Sequence, residues 1–215
     1  MKCVVVVFVL MLASSAHAQF PILFADWFDA DTIETYGRDC YPGVTGTGSW
    51  EVVGGVLAGG VVGDGQCYAM IEHSTWDIKS VRFLFRNTVG SVNGVNVHNA
   101  IGNIGLSLNA IPGDSLRIRL HTGDPLNAIT TQFCCLAGVW LDVLLIIGTD
   151  AWVHLNDDIV LTKEVPANMR ALPFRDVRLW GAGSSAVEFD NFIVRGNGVT
   201  ADEAVSWGQL KSFYR

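Results

Sequence analysis

The side chains most able to do chemistry in this chain are its histidines, cysteines and carboxylates, and their spacing matches no established catalytic pattern. His73, His98, His121 and His154 are scattered, with no Asp or Glu at the spacing of a transition-metal site. The sequence contains no HExxH, GxSxG or GxGxxG motif. Zinc-protease, serine-hydrolase and dinucleotide chemistry therefore have no support in it.

Asp190 and Asn191 carry a more specific signal, because the alternation of apolar residues slips by one position around them. Val187 and Phe189 point to one face by parity, yet the next apolar pair is Phe192 and Val194. A β-bulge would return both pairs to the core and re-aim the two polar side chains. Their oxygens would then suit Ca²⁺, a cation that takes oxygen ligands. The alternative is a carboxylate that caps turn amides.

The elements that must position these residues have the two-residue period of β-strands. Residues 81–86 and 115–120 alternate apolar and basic side chains, which predicts half-buried strands. Residues 141–147, 151–155 and 159–161 are separated by turn-forming residues and predict an antiparallel meander. The hairpin predicted at residues 49–59 turns at Gly54 and Gly55, and residues 177–180 and 187–194 complete the predicted strands.

The first 18 residues have the pattern of a secretory signal peptide. Lys2 precedes an apolar run at residues 4–12, and Ala16 and Ala18 give the small-x-small cleavage pattern. A spanning helix needs about 20 apolar residues, so this run is too short to be an anchor. We expect cleavage after Ala18 and a secreted, extracellular protein.

Export makes disulfides possible for Cys40, Cys67, Cys134 and Cys135. Four cysteines allow three pairings, and their spacing excludes a paired CxxC zinc site. A bridge between the adjacent Cys134 and Cys135 would strain the peptide, which favours pairing each with Cys40 or Cys67. A vicinal bridge, and a redox role for the vicinal pair, stay open as alternatives.

Composition and charge exclude whole classes of function. The net charge is −7 and no block of basic residues occurs, so nucleic acid is not an expected partner. The chain is 50% hydrophobic with 23 Gly, 11 Phe and 7 Trp, which favours short strands and tight turns over long helices.

Four segments resemble, in their order, the concanavalin A-like lectin/glucanase superfamily, and the LamG-like jelly rolls in particular. They are LFADWFDAD, GSWEVVGGVLAGG, VWLDVLLIIGTDAWVHLNDDIVL and VEFDNFIVRG, and the resemblance covers residues 23–195. It implies an all-β, two-sheet antiparallel jelly-roll sandwich at residues 19–196, after a signal peptide at 1–18. It also implies that calcium ties the first and last strands, which would add Asp26 or Asp29 to Asp190 and Asn191.

The enzymes of that superfamily carry an ExDxxE pattern on one strand, which supplies the two carboxyl groups of a retaining glycosidase. The nearest match here is Glu188 and Asp190, with Ile193 in place of the second glutamate. We therefore expect the chain not to be an enzyme.

The expected function is a secreted, non-catalytic, lectin-like module that binds a polysaccharide or glycan. An extracellular structural or adhesion module that binds protein is the alternative, and a glycoside hydrolase is the third. The candidate ligand-binding residues are the outward arginines and aromatic residues: Arg82, Arg86, Arg117, Arg119, Trp152, His154, Arg178 and Trp180.

Five of these residues are arginines, and their strands decide what they could bind. In one sheet they would make a positive face suited to anionic polysaccharide. The alternative is that they pair with acidic neighbours and select nothing.

Residues 197–215 form a C-terminal tail, either a short docked helix or a disordered end. Asp202 and Glu203 near its start, with Lys211 and Arg215 near its end, suit a helix dipole.

Overall fold

The computed structural model describes residues 20–28, 37–40, 47–62, 66–87, 92–136, 138–182 and 187–198, which contain fifteen strands and one short helix. In chain order these are β1 (Ile22–Asp26), β2 (Gly37–Cys40), β3 (Thr47–Val53), β4 (Val56–Val62), β5 (Gln66–Glu72), β6 (Asp77–Asn87), β7 (Val92–Asn99), β8 (Gly102–Ile111), β9 (Ser115–Thr122), β10 (Ile129–Phe133), β11 (Leu141–Ile147), β12 (Asp150–Leu155), β13 (Asp158–Glu164), α1 (Ala167–Arg170), β14 (Asp176–Ala182) and β15 (Val187–Asn197).

The strands form two antiparallel sheets. The eight-stranded sheet has the order β13-β12-β11-β6-β15-β4-β3, with β1 also paired to β15. The seven-stranded sheet has the order β10-β9-β8-β7-β14-β5-β2. The predicted all-β sandwich is confirmed, and so is the meander, which is β11, β12 and β13.

One continuous core lies between the sheets, because the inward residues of both belong to a single buried cluster. Phe189 of β15 is at its aromatic centre, with ring centroids 5.6 Å from Phe83, 5.7 Å from Phe85 and 6.0 Å from Trp50. The predicted parity holds on β9, where Leu116, Ile118 and Leu120 are buried.

Two hairpins turn at the predicted residues. Gly54 and Gly55 both have positive φ, at 61° and 83°, and so do Asn156 and Asp157, at 50° and 71°. Two consecutive residues with positive φ make the type I′ turn, whose twist matches that of the flanking strands.

The predicted β-bulge is confirmed in β15. The register between β15 and β6 shifts between Asp190 and Ile193, and Asn191 has a φ of 49°. Phe189, Phe192 and Val194 are consequently all fully buried.

The connection from β13 to β14 crosses between the sheets and contains α1, a helix that sequence periodicity does not predict. The Thr122 hydroxyl donates to the Glu164 carbonyl at 2.8 Å, and the Asn99 amide donates to the Met169 carbonyl at 2.9 Å. These bonds hold the crossing segment against the ends of β7 and β9.

Within the described ranges, no helix has the length and apolar character to cross a membrane.

The signal peptide at residues 1–18, Asp29 and most of the C-terminal tail lie outside the described residues. The expectations for them remain predictions.

Candidate functional site

The face of the seven-stranded sheet that turns away from the core, here called the outer face, collects polar and aromatic side chains from five strands. Strand register arranges them in four rows. The first row is Arg117, Asn109 and Val92, and the second is Arg119, Ser107, Gly94, Trp180 and Tyr68. The third row is His121, Gly105, Asn96, Arg178 and Met70. The last row is Asn103, His98, Asp176 and Glu72. Successive rows are two residues apart, so the face extends about 20 Å along the strands.

A cavity of about 340 Å³ opens at the last row, where the segment after α1 meets the sheet. His98, Asp176 and Arg178 line it together with Arg175 and Leu172. It therefore combines one carboxylate, one imidazole and two guanidinium groups with an apolar wall.

Asp176 is buried, at 7% exposure, and is held by one partner. Its Oδ2 accepts from Arg178 Nε at 2.8 Å and Nη2 at 2.5 Å. Directly opposite on β5 is Glu72, which is exposed. Opposite residues of an antiparallel pair have Cβ atoms about 4.5–5.5 Å apart, and like charges placed so destabilise a sheet. A local conflict of this kind is expected at functional sites.

Five buried polar atoms of the outer face have no hydrogen-bond partner among the described residues. They are Trp180 Nε1, Asp176 Oδ1, Asn109 Oδ1, and the Nε2 atoms of His98 and His121. Buried polar groups almost always have partners, which water or a ligand must supply where the protein does not. The set contains one obligate donor, two acceptors, and two imidazole nitrogens that can serve either way.

The two histidines are uncharged at neutral pH. Burial lowers the pKa of His98, the positive charge of Arg178 lowers it further, and Asp176 opposes the shift. Burial and Arg119 lower the pKa of His121. The His121 ring lies over Gly105, where an added Cβ would come within 2.0 Å of Cε1, so glycine is needed beneath this imidazole.

Trp180 occupies the second row, between Gly94 and Tyr68. It lies on the predicted outward side of β14 but is only 7% exposed. An added Cβ at Gly94 would be 3.0 Å from Trp180 Nε1 and 1.8 Å from the Leu106 carbonyl oxygen. The indole therefore lies low on the sheet, and Trp180, which was predicted as an outward ligand-binding residue, is nearly buried.

The predicted arginine face is not formed, because the five arginines lie on two sheets. Arg117, Arg119 and Arg178 belong to β9 and β14, while Arg82 and Arg86 belong to β6 on the opposite side of the sandwich. A sequence pattern shows that each side chain points outward but does not show which sheet holds its strand.

The arginines of β6 are paired, as the alternative interpretation predicts. Arg82 donates to both oxygens of Asp142, with Nε at 2.9 and 3.1 Å, and Arg86 donates to Glu188 directly across the strand pair. These hydrogen bonds raise the pKa of both guanidinium groups. Arg86 also lies 4.7 Å from the centroid of the Trp140 ring.

Trp152 and His154 share one side of β12, as predicted, but β12 belongs to the eight-stranded sheet. Trp152 is 38% exposed. The structure thus separates this pair from Trp180 and Arg178, and the predicted binding residues do not form one surface.

The candidate calcium residues that are described lie close together in register. Asp26 of β1 is opposite Phe192, next to the bulge at Asn191. The Asp26 Oδ1 accepts the Phe28 amide at 2.8 Å, and the Asp190 Oδ1 accepts the Asn191 amide at 2.6 Å. Both contacts are the turn-capping bonds of the alternative interpretation. Among the described residues no group of three His, Cys, Asp or Glu side chains is arranged to hold a metal ion.

The cysteines are divided between the two edges of the seven-stranded sheet. Cys40 and Cys67 are register partners on β2 and β5, whereas Cys134 and Cys135 follow β10 at the other edge. The favoured pairing of Cys134 or Cys135 with Cys40 or Cys67 is therefore excluded, because bridged Cα atoms lie within about 7 Å.

Comparison with known proteins finds likeness in structure alone. No family model matches the sequence. No curated protein matches it either. A laminarinase from Rhodothermus marinus matches with a TM-score of 0.63 at 10% identity, covering 83% of this chain and 98% of its own. A Flavobacterium sp. UMI-01 laminarinase has a TM-score of 0.62 at 10% identity, covering 82% of this chain and all of its own. The fold is a concanavalin A-like jelly roll.

A third match, the Bacillus licheniformis β-glucanase, has a TM-score of 0.58 at 10% identity, covering 83% of this chain and 100% of its own. All three matched proteins are glycan-cleaving enzymes. The expectation that this chain is not an enzyme is contradicted by these matches. It rested on Ile193 in the ExDxxE comparison, and that segment belongs to β15 of the eight-stranded sheet, away from the outer face.

Sequence reasoning missed the residues that the outer face brings together: Glu72, Asn96, His98, Asp176 and His121. A signal was present in β7, where Val95 and Val97 are buried and the residues between and after them are polar. The pairing of β14 with both β5 and β7 gathers these side chains, and pairing of distant strands is not readable from one sequence.

Proposed function

We propose that this protein is a secreted glycoside hydrolase that binds neutral polysaccharide on the outer face of its seven-stranded sheet. The observation that carries the proposal is the cavity at the last row, where the carboxylate of Asp176, an imidazole and two guanidinium groups meet an apolar wall next to a second carboxylate, Glu72. These groups offer both donors and acceptors, and sugar hydroxyl groups can pair with both. The fold shared with laminarinases supports a glucan as the ligand.

Charge favours a neutral over an anionic polymer. Arg178 is engaged by Asp176, and Arg119 donates to the Pro125 carbonyl oxygen. Asp176 adds negative charge to the same face, and Glu72 adds more whenever it is ionised. A uronate or sulfate group would have to compete for Arg119 and Arg178 with the partners they already have.

Asp176 and Glu72 are the proposed catalytic pair. Retaining glycosidases hold two carboxyl groups about 5–5.5 Å apart, a separation that opposite residues on neighbouring strands can provide. Asp176 lines the cavity and is held by two bonds from Arg178, and a small movement of this pair on sugar binding would free an oxygen to attack the anomeric carbon. Glu72, which is exposed, would protonate the leaving oxygen and then activate the water that releases the glycosyl group.

The test measures release of reducing ends from laminarin by the wild-type protein and by Glu72→Gln. Loss of a general acid costs about 100-fold or more in rate, and Glu72→Gln should lose at least that much. Because Glu72 is exposed and lies opposite another carboxylate, its substitution should not lower the melting temperature. Glu188→Gln is the matched control, because Glu188 is also a carboxylate on an outer sheet face but lies on the other sheet.

Affinity electrophoresis in laminarin separates binding from cleavage. The proposal expects wild type and Glu72→Gln to be retarded equally. Retardation without cleavage by wild type would refute the catalytic assignment, and no retardation in laminarin or other neutral β-glucans would refute the binding face.

A further inference from the structure

Cys40, the last residue of β2, lies opposite Cys67 of β5. β2 is a four-residue strand at the edge of the seven-stranded sheet, and it pairs only with β5 among the described strands. Its register joins Gly37 to Met70 at one end and Cys40 to Cys67 at the other. Two of the four cysteines outside the predicted signal peptide therefore face each other across one strand pair.

Opposite positions in an antiparallel pair have Cα atoms about 4.5 or 5.5 Å apart, depending on the type of pair. Disulfides bridge Cα atoms about 4.4–6.8 Å apart, so the Cα separation of either type of pair is within range. Residues opposite each other also share one face of the sheet. Backbone placement thus gives the Cα separation and the shared face that a bridge needs.

The pairings that join Cys40 or Cys67 to Cys134 or Cys135 would need Cα atoms much closer together than the strand order places them. Cys134 and Cys135 follow β10, which is separated from β2 by five strands in the sheet order. Six strand spacings of about 4.8 Å put the two edges about 29 Å apart. Of the three ways to pair four cysteines, only the one that joins Cys40 to Cys67 is compatible with the register.

We propose that Cys40 and Cys67 form a cross-strand disulfide that closes the edge of the seven-stranded sheet. Each thiol loses its proton and the pair loses two electrons as the S–S bond forms. A disulfide of the exported compartment, or oxidised glutathione in vitro, accepts the electrons and protons as its own S–S bond breaks into two thiols.

The bridge would act on the strand that carries part of the outer face. Cys67 immediately precedes Tyr68, which shares a row with Trp180, and the same strand ends at Glu72. A short edge strand is easily displaced, and a slip of one residue would turn its side chains to the other face. A bond between β2 and β5 fixes the register at this edge. The inference is independent of the proposed enzymatic activity.

Cys134 and Cys135 provide an internal contrast. Both are free and exposed, and Cys135 has a φ of 62°. A hydrogen bond with the Cys134 thiol raises the pKa of Cys135, so Cys135 is protonated at neutral pH. We expect both thiols to be accessible to an alkylating reagent and Cys135 to react with it slowly.

The test maps the cysteines of the wild-type protein, exported or refolded in a glutathione buffer, after alkylation without reductant. Trypsin leaves Cys40 and Cys67 in one peptide, because no Lys or Arg lies between positions 38 and 79. A second cut after Glu51 by a glutamate-specific protease then separates the two cysteines. The expected product is a pair of peptides that stay joined until reductant is added, with alkyl groups on Cys134 and Cys135.

Two variants test independently which cysteines are bridged. Cys40→Ser should make Cys67 alkylatable without reductant, while the double variant Cys134→Ser/Cys135→Ser should keep the joined peptides. Alkylation of both Cys40 and Cys67 in the unreduced wild type, or a link from either of them to Cys134 or Cys135, would overturn the proposal. Because the mapping uses wild-type protein, poor folding of a variant does not affect it.

Discussion

The two buried histidines of the outer face should make the protein less stable in mild acid. Both have a pKa lowered below 6.5 in the folded state, chiefly because burial disfavours the imidazolium ion. Between pH 6.5 and the folded-state pKa, the unfolded chain binds more protons than the folded one. The free energy of unfolding therefore falls as pH falls through this window, and the full stability is present above it.

The slope follows from the number of groups. One proton taken up on unfolding changes the free energy by about 1.4 kcal/mol per pH unit. His98 and His121 together can thus contribute a slope of up to about 2.7 kcal/mol per pH unit below pH 6.5. Arg178 and Arg119 strengthen the effect, whereas Asp176 and Asp124 weaken it.

Urea unfolding at pH 8.0, 7.0, 6.0 and 5.0 measures this slope for wild type, His98→Gln and His121→Gln. Glutamine keeps a polar side chain and cannot take up the proton, so each variant should lose part of the acid-dependent decrease. The difference in slope is the readout, because a change in stability that is equal at all pH values reflects packing. Identical slopes for wild type and both variants would refute the assignment of buried, neutral imidazoles.

Three further predictions concern the rest of the fold. Phe189→Ala removes the centre of the aromatic core and should cost about 3–5 kcal/mol in urea unfolding; a loss below 1 kcal/mol would contradict its full burial. A double-mutant cycle on Arg82 and Asp142 should give a coupling below about 1 kcal/mol that declines with salt, because the Arg82 side chain is 48% exposed. If calcium binds beside the bulge, it should raise the melting temperature of wild type but not of Asp190→Ala; a melting curve that EDTA leaves unchanged would exclude the site.

Strands and turns were predictable because local chemistry determines them. The alternation in residues 81–86 and 115–120 predicts which side chains enter the core, and the paired positive-φ residues appear at the glycines and at Asn156 and Asp157. The bulge at Asn191 was predictable for the same reason, since a slip in the two-residue period has few other structural solutions.

Sheet membership was not predictable, because it depends on pairing between strands distant in sequence. Arg86 and Arg178 have similar local patterns, yet they lie on opposite sides of the sandwich. The same limitation hid Glu72 and Asp176, which are far apart in the chain and become neighbours only when β14 pairs with β5. The same limitation explains why the sequence favoured pairing Cys134 or Cys135 with Cys40 or Cys67, although the strand order places them at opposite edges of the sheet.

The central claim is that glycan binds on the outer face of the seven-stranded sheet, and a crystal structure of Glu72→Gln with a laminarin oligosaccharide tests it most directly. The account predicts sugar density over the rows of His98, Asp176 and Trp180, with one sugar in the cavity that His98, Asp176 and Arg178 line. Sugar bound instead beside Trp152 and Arg82, on the eight-stranded sheet, would contradict it.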